Sequence, residues 1–427
     1  MNIGIIIGRI GGVDGVALET EKWIEVLEKM GHEIYVVSGE FENWNRDPEK
    51  STLVVEMSFF SPEGYWEQKK SFLKPDQDIH DLQYHINLYS KVIYERLLNW
   101  VRDKKIELLI SENASALPLH LIMGLATKKL VHKTGLPTIA HDHDFAWERG
   151  NRYISPYQEI NDIINDAFPL RLPNVIHAVI NTPAQQTLKD RYNLDSIMVP
   201  NVMNFDIPYG MKTQENMTLP KDIGCQDDDI LIFQVTRIVK RKGIETAIEL
   251  VEKLQDKRIK LVITGDHKDE TDNNYYDELV DLANKLNVPD QVIFASEIIT
   301  NKGYDTADQV KYSLADAYAH AQAATYFSTY EGFGNAFVEA VLSKTPIFVN
   351  NYKPVYWPDI GSKGFRTVML ENNVITQKAV DDAKEILYNP ELNKEIAQYN
   401  FELGKKHFSY DTLQNKLEEI IQKITGK

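Results

Sequence analysis

Asn2-Ile3-Gly4-Ile5-Ile6-Ile7 is an unbroken apolar run that stops at Gly8-Arg9-Ile10-Gly11-Gly12-Val13-Asp14-Gly15. No other stretch constrains the fold as much. The run reads as a strand and the glycine-rich segment as a turn. The pattern then becomes helical, with Trp23, Val26, Leu27 and Met30 at i, i+3, i+4 and i+7 and Gly31 where a C′ glycine belongs. His32 to Val37 reads as the next strand. Strand, glycine turn, helix, strand is the βαβ unit of a doubly wound sheet. The glycines do not spell G-x-G-x-x-G, so the turn reads as a phosphate-approach loop and only weakly as a dinucleotide fingerprint.

The alternation continues. Strands are expected at 107–111, 137–140, 175–181 and 196–199, with helices from His80 to Arg102, from Pro118 to Thr134 and from Pro183 to Tyr192. Residues 43–79 fit neither period and read as an irregular, aromatic insertion. The second half repeats the scheme with strands at 230–235, 260–264, 291–295, 323–328 and 346–349, and ends in helices over 392–406 and 411–424. A chain of 427 residues exceeds one ordinary core. The expected domains are 1–200 and 201–405, with 406–427 a helix that packs on the first.

A formal net charge of -16 argues against nucleic acid as a partner. No apolar run approaches the roughly 18 residues of a membrane span, and the first residues lack a signal peptide's basic and apolar regions, so a cytoplasmic protein is expected. A homo-oligomer stays open. Cys225 is the single cysteine, so there is neither an internal disulfide nor a multi-thiolate metal site.

An anionic ligand on so acidic a chain needs a local cluster of cations. Thr236-Arg237-Ile238-Val239-Lys240-Arg241-Lys242-Gly243 supplies four within six residues, at the end of a strand and the start of a helix. Open α/β sheets bind phosphate at such places. Arg237, with its planar fork, and Lys242, as a point charge, are the residues chosen for a diphosphate. A second candidate lies in Glu331-Gly332-Phe333-Gly334-Asn335-Ala336-Phe337-Val338-Glu339, a glycine elbow between strand and helix with a carboxylate at each end. The rival readings are a solvated basic turn and an ordinary strand-to-helix connection.

Taken together, Arg237 with Lys242-Gly243, Glu331 and Glu339 with seven residues between them, the Gly11-Gly12-Val13 turn and the Val199-Pro200-Asn201 junction resemble the family-4 retaining glycosyltransferases, glycosyl transferases group 1. The resemblance spans nearly the full chain. It implies the GT-B fold: two Rossmann-like, doubly wound α/β domains facing each other across a cleft, with the C-terminal helix crossing back to the first. It also implies retaining, metal-independent transfer of a hexosyl group from a nucleoside diphosphate sugar of the UDP-glucose or GDP-mannose type. The acceptor is expected to be a small soluble hydroxyl compound: a sugar, a sugar phosphate or a hydroxy acid. Arg237 and Lys242 then hold the diphosphate, Gly12 and Val13 approach the donor, and Glu331 bonds the sugar hydroxyls. Gly332, Phe333, Gly334 and Asn335 offer backbone amides, Glu339 receives the ribose hydroxyls, and His141 lies near the sugar.

His141-Asp142-His143-Asp144 contains a D-x-D pattern, which admits a divalent ion. Adjacent strand residues point to opposite faces, so the expectation is no metal, with His141 toward the ligand and the acids capping or orienting. Arg149 and Arg152 are the candidates for an acceptor carboxylate or phosphate. Two rivals to transfer remain open here: a glycoside hydrolase with Glu331 and Glu339 as acid and base, and a non-catalytic nucleotide-sugar sensor.

Overall fold

Parallel strands organise both halves of the protein. The computed structural model describes residues 1–75, 79–266, 274–306 and 309–426, and the chain divides into two units, Met1–Val202 with Tyr410–Lys427, and Met203–Ser409.

Among the described residues unit one has seven strands: β1 (Asn2–Ile7), β2 (Glu33–Ser38), β3 (Ser51–Leu53), β4 (Leu108–Glu112), β5 (Thr138–Asp142), β6 (Val175–Val179) and β7 (Ser196–Met198). They form one parallel sheet in the order β3-β2-β1-β4-β5-β6-β7. The chain reverses its direction of growth between β1 and β4, and sheets of this kind bind ligands beyond the carboxyl ends of strands at that point. Trp23 and Leu27 pack with Ile3 and Ile5 in one core cluster, and Leu97, Ile122 and Leu130 with Ile6 and Leu109 in another. The first cluster also contains Leu413, Leu417 and Ile420 of the helix Tyr410–Thr425, whose i, i+4, i+7 spacing forms one apolar stripe.

The stretch 43–79, read as irregular, is largely built; its residues 76–78 lie outside the described ones. Ser51–Leu53 extends the sheet edge by pairing with β2. Pro62–Gln68 is a helix capped by Ser61, whose hydroxyl accepts from the Gly64 amide at 3.0 Å. The missing signal is tertiary. The buried Glu67 carboxylate accepts from the amides of Leu121 at 2.7 Å and Ile122 at 2.9 Å, the first amides of the helix Leu121–Thr134. Gln68 donates to the Pro118 carbonyl at 3.0 Å. That helix consequently starts at Leu121 with His120 as its cap, not at Pro118.

Unit two holds β8 (Ile230–Gln234), β9 (Ile259–Ile263), β10 (Val292–Phe294), β11 (Ile299–Thr300), β12 (Lys302–Thr306), β13 (Gln309–Ser313), β14 (Ala323–Tyr326), β15 (Ile347–Asn350) and β16 (Val368–Leu370). Six form a parallel sheet, β10-β9-β8-β14-β15-β16, and β11-β13-β12 is a separate small sheet. The sequence reading missed this small sheet; strands of two to five residues carry little periodicity. The reversal falls between β8 and β14, paired at Ala323↔Ile232 and Ala324↔Phe233. The basic turn after β8 and the glycine elbow after β14 are therefore neighbours. Gly243 seals the junction: it has φ +62, and a Cβ there would sit 2.2 Å from the Phe327 carbonyl oxygen. Among the described residues no helix is long and apolar enough to cross a membrane.

Replacing Glu67 by Ala strands two buried helix amides. Chemical denaturation is expected to show a loss of ~1–3 kcal/mol, and a variant as stable as the parent would mean that Glu67 does not anchor the insertion.

Candidate active site

In unit two the elbow and the basic turn meet at one carboxylate. Glu331 is only 8% exposed. Its Oε1 receives the Lys242 ammonium at 2.5 Å and the Ser328 hydroxyl at 2.7 Å, and its Oε2 faces Arg241 Nη1 at 2.9 Å. Burial by itself would raise this carboxyl; Lys242 and Arg241 outweigh it and hold Glu331 below the ordinary carboxylate range. Lys242, 9% exposed, is pushed below the usual lysine range first by burial; Arg241 and Arg237 also lower it, and Glu331 pulls the other way. Two cations on one carboxylate leave an excess of positive charge in a water-poor place.

The elbow beyond Glu331 admits close approach only through glycine. Gly334 has φ +132, and a Cβ there would fall 2.2 Å from the Tyr352 hydroxyl, which donates to the Phe333 carbonyl at 2.9 Å. Gly334 caps the helix Asn335–Leu342, so the first amides of that helix open from the elbow. The Phe333 ring is buried and packs edge-on against Phe408, 5.6 Å between centroids. Glu339 lies further along the helix, half-buried. Burial first, and its charge second, raise the pKa of Tyr209 and Tyr318. Arg237 is exposed at the start of the basic turn. Sequence reasoning chose Arg237 and Lys242 and passed over Arg241, which only the geometry connects to Glu331.

In unit one, Gly11 has φ +85, and a Cβ there would sit 1.8 Å from the Glu42 carbonyl oxygen. The loop after β1 thus has a conformation that an L side chain cannot take without displacing backbone. Gly12 is buried and Val13 is 55% exposed. Asp14 then starts the helix Gly15–Lys29, accepting from the Ala17 amide at 3.1 Å and from Arg9 Nε at 3.0 Å.

The His141-Asp142-His143-Asp144 run is split by strand alternation. His141 Nδ1 lies 2.9 Å from Oε2 of Glu112, its register partner on β4, and His143 Nε2 is 3.7 Å from the same oxygen. Trp23 stacks on His141, with centroids 3.9 Å apart and planes at 22°. Burial would raise Glu112, but His141 and His143 prevail and bring it down to about 2. Asp142 turns elsewhere: its Oδ2 meets His177 Nδ1 at 2.6 Å, while His177 Nε2 is 2.9 Å from the Leu170 carbonyl oxygen. Asp144 accepts from Asn113 at 2.9 Å and pairs with Arg149. The two acids of the D-x-D pattern are thus committed to different partners. Ligand-type atoms of Glu112, His141 and His143, by contrast, lie within 4.8 Å of one another. The sequence reading gave Trp23 only as part of an apolar helix face, and Glu112 was not among its chosen site residues.

Arg152 lies over the Tyr153 ring at 4.7 Å and the Phe72 ring at 5.6 Å, and donates through Nη2 to Gln68 Oε1 at 3.1 Å. Its Nη1 is buried without a hydrogen-bond partner. Arg149, about half exposed, pairs with Asp144.

These features meet known proteins over the whole chain. The family model described as glycosyl transferases group 1 matches residues 216–403. Mannosylglucosylglycerate synthase of Thermotoga maritima is 32% identical over 463 aligned positions, covering 99% of this chain and 100% of that protein. The synthase of the same name from Petrotoga mobilis is 29% identical over 444 positions, covering 96% and 98%. Among solved structures, sucrose-phosphate synthase from Thermosynechococcus elongatus superposes with a TM-score of 0.63 at 15% identity, covering 100% of this chain and 99% of that one. WaaG, a glycosyltransferase involved in lipopolysaccharide biosynthesis, gives 0.61 at 13% identity, covering 100% of each. Identities this low speak for the fold alone. With the sequence relatives they place the chain: it belongs to the glycosyl transferases group 1 family and is a glycosyltransferase of the GT-B fold.

Proposed function

We propose that the protein transfers a hexosyl group from a nucleoside diphosphate sugar to a small acceptor bearing a carboxylate, with retention at the anomeric carbon. The observation that carries this reading is the Lys242–Glu331–Arg241 cluster beside the glycine elbow at the β8–β14 reversal. Charge grows on the phosphate oxygen as the sugar departs, and preorganised cations in a water-poor site stabilise that charge. Arg237 and Lys242 are assigned to the diphosphate, with no resident metal needed for this task. Gly332, Phe333, Gly334 and Asn335 offer amides, Glu339 takes the ribose hydroxyls, and Gly12 and Val13 belong to the donor-approach loop.

Glu331 is assigned to the donor-sugar hydroxyls. A glycosidase acid needs a raised pKa, and the cations around Glu331 drive it the opposite way. With Glu331 held by Lys242 and Arg241, it is not assigned as a nucleophile, and retention follows same-face attack. The bond from the anomeric carbon to phosphate oxygen breaks with its electron pair on the phosphate, the acceptor oxygen bonds that carbon, and the acceptor proton passes to the departing oxygen.

The names of both sequence relatives describe the making of mannosylglucosylglycerate. They favour a mannosyl donor, and as acceptor glucosylglycerate, the fragment left when mannose is removed from the named product. That fragment carries a carboxylate, and Arg152 with its unpartnered buried Nη1 is the residue assigned to it.

Incubation with GDP-mannose or UDP-glucose and glucosylglycerate, followed by proton NMR, is expected to give an α-linked product from an α-linked donor, at a rate unchanged by EDTA. A β-linked product would remove same-face attack, and tight donor binding without turnover on any acceptor would favour a sensor. In steady-state kinetics, Glu331→Gln is expected to depress kcat, Glu339→Ala to raise chiefly the donor KM, and Lys242→Ala to harm both, by ~100-fold or more in kcat/KM. The reverse pattern for the two glutamates would exchange their roles. Arg152→Ala is expected to raise the acceptor KM about tenfold or more with donor KM unchanged; an unchanged acceptor KM would place the carboxylate elsewhere.

A further inference from the structure

Glu112, Trp23 and His143 surround His141 in a way that the proposed transfer does not by itself require. Glu112 stands at the end of β4, His141 beside it on β5, and His143 two residues on, with its ring 4.3 Å from that of His141. From the helix Gly15–Lys29 come Trp23, flat on the His141 ring, and the buried Glu19, whose charge bears on His143 together with those of Glu112 and Asp144. His141 Nδ1 is 2.9 Å from Glu112, a hydrogen-bond distance that places a proton between nitrogen and oxygen. The other ring nitrogen, Nε2, is buried and lacks a hydrogen-bond partner, as do His143 Nε2 and Glu112 Oε1. Orphaned buried polar atoms are rare in folded proteins and call for an explanation. Three within one cluster imply that a group completing it comes from outside the chain.

We propose that Glu112 is the positioning residue of His141: it accepts the Nδ1 proton, fixes the imidazole in the tautomer with bare Nε2, and so presents Nε2 as the acceptor for a hydroxyl of the bound donor sugar. Two constraints act on one ring. The carboxylate fixes which nitrogen bears the proton, and the indole fixes the ring plane. Nε2 is buried, so a hydroxyl that bonds it does so away from the competition of bulk water. His143 Nε2 stands 3.7 Å from the same carboxylate, beyond hydrogen-bond reach, and its charge favours the ionised form of Glu112 that accepts from His141. The inference rests on the proposed transfer and on the place near the donor sugar that the family resemblance implies for His141.

The test uses the full-length protein labelled with nitrogen-15 histidine. Long-range proton–nitrogen correlation spectra, with the His141 signals identified by their absence in His141→Gln, read the tautomer directly and without turnover. The expected result is a protonated Nδ1 and a bare Nε2 whose shift moves when the nucleotide-sugar is added. In Glu112→Gln the expected result is a mixture of tautomers, with kcat reduced about 10- to 100-fold, as is usual when the partner orienting a histidine is lost, donor KM within about threefold, and Glu112→Asp partly restoring kcat. A proton on Nε2 in the parent protein overturns the proposal even if Glu112→Gln fails to fold. So does an unchanged tautomer and kcat in that variant. Stoichiometric binding of Zn2+ that abolishes the His141 and His143 signals also overturns it, by making the triad a metal site. Full activity in His141→Gln, by contrast, removes the role of His141 in transfer and leaves the tautomer result standing.

Discussion

An ammonium group out of water is stable only beside an anion, and Lys242 has that anion in Glu331. The two residues lie 89 positions apart in sequence. They meet because β8 and β14 are paired neighbours in the parallel sheet, so the segments leaving their carboxyl ends emerge side by side. Arg241 closes on the same carboxylate, Ser328 holds it from below, and the glycine at 243 lets the basic turn lie on the backbone of the strand end. Removing Glu331 leaves the buried Lys242 as an uncompensated charge. The cluster therefore specifies the conformation of two loops at once, and it keeps the spare positive charge that a diphosphate needs.

The same logic runs through unit one with imidazole in place of ammonium. Strand alternation sends His141 to one face of the sheet, where Glu112 meets it, and Asp142 to the other, where His177 does. Each buried charge finds a partner on an adjacent strand, so the pairing is a consequence of register. The anchoring of residues 43–75 follows a related rule: the buried Glu67 carboxylate is stabilised by the free amides at a helix start.

Much of this was legible in the sequence, and the reasons are physical. The doubly wound architecture follows from apolar runs alternating with amphipathic helices, and the site regions follow from which residues stand just after strands. Glu331, Lys242 and His141 are visible by that rule. Arg241 is not, because three consecutive cations look alike until the turn's geometry selects which of them face the carboxylate. Glu112 and Trp23 reach His141 only through strand pairing and helix packing, and neither leaves a local pattern. The insertion escaped for the same reason: its order comes from contacts at residues 118–122, far along the chain.

A diphosphate held by the cations around Glu331 is what the proposed transfer depends on most. Isothermal titration of the parent protein with GDP and with guanosine, and in parallel with UDP and uridine, measures that contribution directly. The account requires the better nucleotide of the two to bind at least about a hundredfold more tightly than its own nucleoside, a difference of ~2.7 kcal/mol, and to weaken as salt rises. Equal affinity for nucleotide and nucleoside in both pairs would contradict it.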